Sequence, residues 1–117
     1  MARSSATRLA GYQRRYRDLA ERIADIGFIA AGSITHRHTR CGKTNCRCHA
    51  DPPQLHGPYW TWTRKVEGKT VTRTLDPGQA ERLQPLLDNS RRLRELVHEL
   101  EALALRHVET DPRQPNP

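Results

Sequence analysis

Three cysteines and two histidines fall in one short stretch, Cys41-Gly-Lys-Thr-Asn-Cys46-Arg-Cys48-His49, followed by Asp51-Pro-Pro-Gln-Leu-His56-Gly-Pro. These are the only cysteines of the chain, and their spacing is C-x4-C-x-C. An odd number of thiols within eight residues suits a disulfide framework poorly and a tetrahedral metal site well. Zinc takes four such ligands from a short segment that turns back on itself, and Gly42 permits the turn. Cys41, Cys46 and Cys48 supply three. The fourth falls to His56 or His49. His56 is preferred because it lies across a loop, whereas His49 adjoins Cys48 and its ring would have to fold back sharply. A closed shell of this kind leaves no position for a reacting water, so the expected metal is a structural zinc. The competing readings are three buried cysteines, a redox pair, and an iron–sulfur cluster that lacks a fourth thiolate.

The second chemical signal is charge. The 117 residues carry 20 Lys and Arg against 13 Asp and Glu, a net charge of +7. All of the excess lies in residues 1–50. Around the cysteines stand Arg37, Arg40, Lys43 and Arg47, with no acid between positions 26 and 50. Downstream come Arg64, Lys65, Lys69 and Arg73 against Glu67 alone. These eight cations, interleaved with threonines, are the candidate nucleic-acid contacts, since Arg and hydroxyl groups reach phosphates and base edges. Trp60 and Trp62 offer a different chemistry, stacking on unpaired bases, although their spacing also suits a core. No Ser/His/Asp set, phosphate-binding glycine loop or H-E-x-x-H is present, and the chain is expected not to be an enzyme.

These residues need a scaffold, and the chain has little apolar matter for one. Leu, Ile, Val and Phe make up 21 of 117 residues. A core that lean usually needs a metal, a disulfide or a partner chain. Leu9, Tyr12, Tyr16, Leu19, Ile23 and Ile26 recur at spacings of three and four, predicting an amphipathic helix over 4–26. Ile34–Arg40 reads as a short strand. Residues 59–66 and 69–75 alternate about Glu67-Gly68 and read as a hairpin, with Trp60, Trp62, Val66, Val71 and Leu75 on one face. Asp76-Pro-Gly-Gln79 is a capping box that starts a helix to about Val108. Leu83, Leu86, Leu93, Val97, Leu100 and Ala104 form its expected seam, and Pro85 is expected to kink or restart it.

The fold class is therefore α+β: a three-stranded antiparallel sheet with a zinc-tied loop, flanked by an N-terminal helix and a long C-terminal helix. The expected organisation is an N-terminal helix over 1–31, a metal-knuckle and hairpin domain over 32–76, a long helix over 77–109, and a disordered tail over 110–117. No apolar run approaches a membrane span, and no secretory signal is visible, so the expected compartment is the cytoplasm.

Gly32-Ser33-Ile34, Cys41-Gly42-Lys43 with Cys46 and Cys48, and His56-Gly57-Pro58-Tyr59-Trp60, then a hairpin and a Leu/Arg/Glu helix, together resemble a small uncharacterised bacterial family often encoded near transposases. The resemblance spans roughly residues 30–105. It implies that Cys41, Cys46, Cys48 and His56 act as a unit; Thr44 stands where the family often has proline. Sheet followed by helix is also similar in layout to the arm-binding domains of some phage-type integrases. The function expected is an accessory nucleic-acid-binding protein of a mobile element, with DNA as ligand and a homodimer formed through the helices. The alternatives are a helix-mediated adaptor for a recombinase or transposase, and a single-strand RNA or DNA binder.

Overall fold

The heptad-spaced segment at the N-terminus forms helix α1, Ser5–Ala24. The long periodic segment forms α2, Pro77–Glu109. Between them run strands β1 (Ser33–Thr39), β2 (His56–Val66) and β3 (Lys69–Leu75), with one short turn of 3-10 helix at Arg47–His49 before β2. The computed structural model describes residues 5–110; the expected tail lies outside the described residues apart from Thr110, whose hydroxyl donates to the Arg106 carbonyl at 2.8 Å. Among the described residues no helix is long and apolar enough to cross a membrane. The described residues divide into two compact units, a helical one made of residues 5–28 and 89–110 and a sheet unit made of residues 29–88.

In the helical unit Leu19, Leu96 and Leu103 form the buried centre, and Tyr12, Ile23, Ile26 and Leu100 pack on it. Arg15 reaches Glu99, and the Asn89 side-chain amide donates to the Phe28 carbonyl at 2.9 Å, so the two helical segments run antiparallel. The α2 seam differs from the expected one. Leu96 and Leu103 are buried, whereas Val97 and Ala104 face outward. Leu93, Leu96, Leu100 and Leu103 keep the three–four spacing, and four leucines bury more apolar surface than a stripe containing Val97 and Ala104. Tyr16, expected on the α1 seam, is half exposed. Pro85 does not restart α2, which runs through it. The bond that proline forfeits would go to the carbonyl of Glu81, an exposed residue.

In the sheet unit the strand order is β1-β2-β3, all neighbours antiparallel. Glu67 and Gly68 both take positive φ (51° and 80°), as the tight turn between twisted strands requires. The register pairs Trp60 with Leu75, Trp62 with Arg73, and Thr63 with Thr72, which confirms the expected division of faces. β2 begins three residues earlier than expected, so His56 lies on the strand itself. Asp76 and Gln79 exchange the two capping bonds, Gln79 N–H to Asp76 Oδ1 at 2.8 Å and Asp76 N–H to Gln79 Oε1 at 3.0 Å. The first turns of α2 cover the tryptophan face. Trp60 shares a cleft with Pro77, Ala80 and Gln84, and Trp62 shares another with Leu83 and Leu86. Leu75, Ala80 and Leu87 are the buried residues there. Gly32 has φ +103°, and a Cβ on it would collide with the Thr63 carbonyl and the Trp62 indole; Trp62 Nε1 donates to the Ala31 carbonyl at 2.9 Å.

The seam register has a direct test. Leu96→Ala should cost about 2–5 kcal/mol in denaturant unfolding, as large-to-small changes at packed sites do. Val97→Ala, one residue along, should cost under about 1 kcal/mol.

Candidate metal centre

β1 ends at Thr39 and β2 begins at His56, and these two residues are paired. Sixteen residues therefore leave the sheet and return to the same end of it. A glycine makes the return possible: Gly57 holds φ +105°, and a Cβ there would stand 2.9 Å from the Tyr59 nitrogen and 3.1 Å from the Arg37 carbonyl oxygen. Within the loop, backbone bonds from Cys46 to Lys43 and from His49 to Cys46 wind the chain so that its thiols point inward.

Cys41, Cys46, Cys48 and His56 come together, their ligand atoms all within 4.8 Å of one another. Cys41 and Cys48 Sγ are 3.6 Å apart, and Cys46 Sγ is 3.3 Å from His56 Nε2. A tetrahedral cation with metal–sulfur bonds of about 2.3 Å sets its sulfurs roughly 3.8 Å apart, so the four donors fit one such ion with adjustments of no more than about 1 Å. All three cysteines are free thiols. Because Nε2 of His56 faces the thiols, Nδ1 carries the ring proton when a metal is bound. The site thus favours His56 over His49 as fourth ligand. His49 Nε2 lies 2.7 Å from the Cys41 carbonyl oxygen, where it props the segment that carries the first ligand. No sequence pattern singles out that contact.

The thiols are electrostatically unequal. A hydrogen bond from the Cys48 backbone, then one from the Cys41 thiol, lowers the Cys46 thiol to about 6, while burial pushes the Cys48 thiol up. Cys46 is thus a thiolate at neutral pH, an anchor for an arriving cation, and Cys48 ionises only as the metal takes the proton's place. The Cys41 N–H points at Cys48 Sγ at 3.4 Å, a bond that favours sulfur in its charged form. Three thiolates, a neutral imidazole and a divalent ion leave one net negative charge, and the exposed side chains of Arg40, Lys43 and Arg47 surround it in sequence.

The eight expected nucleic-acid contacts do not form one array. Arg37 and Lys65 lie on the threonine face of the sheet; Arg64, Lys69 and Arg73 lie on the tryptophan face; Arg40, Lys43 and Arg47 belong to the metal loop and its approach. Arg64 stacks over the Trp62 ring at 4.1 Å, and His36 stacks on Trp60 at 3.9 Å. Alternation within the hairpin places Thr61, Thr63, Lys65, Thr70, Thr72 and Thr74 on the open face. The register adds Ser33, Thr35 and Tyr59, and the alternation Ser-x-Thr-x-Arg in β1 is the signal that could have found the first two.

Such a chain is a small α+β domain with a built site for one metal ion. It belongs to the family described as Domain of unknown function (DUF6788), which matches residues 9–85, from within α1 through the metal loop and sheet to the third turn of α2. No curated protein and no solved structure matches it.

Three variants separate ligand from prop. His56→Ala and Cys48→Ser should each lower metal retention by orders of magnitude in a chelator competition, whereas His49→Ala should lower it by about 10–100-fold. Cys48 must give up its proton to bind, so metal affinity should already fall as pH drops across the neutral range, and it should fall more steeply once pH passes below the Cys46 value of about 6.

Proposed function

We propose that this chain is an accessory DNA-binding protein of a mobile element, that its metal is a structural zinc, and that the threonine face of the sheet is what meets the DNA. The observation that carries the reading is the composition of that face. Ser33, Thr35, Arg37, Tyr59, Thr61, Thr63, Lys65, Thr70, Thr72 and Thr74 share it, and it holds no carboxylate. A solvated sheet face ordinarily mixes both signs of charge; this one offers hydroxyl donors and two cations, the donor set that phosphate oxygens and base edges accept. Three thiolates and one imidazole, with no open position, support zinc in a structural role. The link to mobile elements rests on the resemblance of the Cys-Gly-Lys and His-Gly-Pro-Tyr motifs. Trp60 and Trp62 already hold His36, Arg64 and the first turns of α2, which argues against single-strand stacking through those rings.

One observation favours the adaptor reading as a second choice. The helical unit leaves Leu105 and Val108 exposed, 59% and 79%, beside no polar function of their own. Charge reversal discriminates the two. The pair Arg37→Glu and Lys65→Glu should weaken DNA capture sharply and flatten the salt dependence of what remains by roughly two phosphate contacts, a change in log–log slope near 1.8. The pair Lys69→Glu and Arg73→Glu, on the covered face, should change affinity far less. Equal losses from both pairs, or no DNA capture by the parent protein at low salt, would remove the reading.

A further inference from the structure

We propose that β3 pairs edge to edge, antiparallel, with β3 of a second copy of this chain, about a two-fold axis through Thr72. Val66 and Lys69 flank a two-residue turn, which makes them a hydrogen-bonded pair, and bonding alternates along the hairpin from there. Lys69, Val71, Arg73 and Leu75 therefore turn their backbone groups toward β2. The N–H and C=O groups of Thr70, Thr72 and Thr74 point away from the sheet. Among the described residues no other segment supplies them with backbone bonds, and all three residues are exposed.

Sheet edges are usually protected by charged side chains, a proline, a bulge or a cover. β1, the other edge, has such a device, a register shift between Arg37 and Thr39 next to the metal loop. β3 has neither proline nor bulge along its seven residues, and its two charges, Lys69 and Arg73, stand at positions whose backbone groups turn toward β2.

The strand is also complementary to itself. Centring the axis on Thr72 is the one register that uses all seven residues. It sets Thr72 opposite Thr72 and Thr70 opposite Thr74 as hydrogen-bonded pairs. On the other face it sets Val71 opposite Arg73 and Lys69 opposite Leu75. The two cations of the strand never stand directly opposite a cation, and threonine faces threonine, a favourable cross-strand pair. An isologous contact of this kind closes at two copies. The pairing draws on the hairpin register alone and stands whether or not the face meets DNA; it would join the two threonine faces into one.

The test uses the full, metal-loaded chain free of nucleic acid, with solution mass from sedimentation. The parent chain should be a dimer at roughly 100 μM, a loading that fills any specific contact in the micromolar range. Thr72→Pro removes only an outward N–H and leaves the β2–β3 ladder intact, and it should raise the dimer Kd about tenfold or more. Thr72→Lys and Thr72→Glu each place like charges face to face and should be monomeric alone, while their equimolar mixture should return to dimer. Folding of each variant is checked by its retained zinc and circular dichroism. A monomeric parent chain, or dimers that survive both charged substitutions singly, would overturn the pairing.

Discussion

The geometry of this protein depends on one closure: a cation that four donors can share where the chain leaves the sheet and where it comes back. Cys41 lies just past the end of β1, His56 opens β2, and Cys46 and Cys48 sit on the excursion between them. Sixteen residues with a single turn of helix have no apolar side chain buried beyond Cys48. A segment that long and that polar does not hold a shape by packing, because ordering each residue costs on the order of 1 kcal/mol or more. Bonds from these four donors to one metal ion would supply what the missing core does not. They would also fix the neighbouring strand ends, since Thr39 and His56 are the terminal pair of the β1–β2 ladder.

From that fixed end the sheet acquires two faces with different fates. The tryptophan face is spent on structure. It holds the aromatic stacks, the Arg64–Trp62 contact and the first turns of α2. The opposite face keeps its hydroxyls in solvent. Alternation along a strand makes this division unavoidable once the register is set, because every second residue belongs to the other face. A basic chain with few apolar residues can therefore commit one face to a small core and leave a polar, acid-free surface on the other.

How far the sequence carried this can be argued residue by residue. The cysteine cluster was legible because ligand chemistry limits the choices, and His56 because a ligand must come from across a loop. The hairpin was legible because alternation and Glu67-Gly68 agree, and the start of α2 because Asp76 and Gln79 complete a capping box. The α2 seam was misplaced at Val97 and Ala104. Leucine recurs so densely on this helix that two stripes compete, and only the position of Leu19 on α1 selects Leu96 and Leu103. Pro85 does not restart the helix, because the carbonyl it orphans belongs to an exposed residue, which local rules do not weigh. The role of His49 and the face taken by Arg37 were invisible, since they follow from the path of the loop and the pairing of β1, whereas alternation alone divides Arg64, Lys65, Lys69 and Arg73 between the faces.

X-ray absorption at the metal edge, with elemental analysis of the same purified sample, measures the central claim most directly. One zinc per chain, with three sulfurs at about 2.3 Å and one nitrogen at about 2.0 Å, is the expected result. A folded chain carrying no metal, or a metal held by oxygen and nitrogen without the three thiolates, would contradict it.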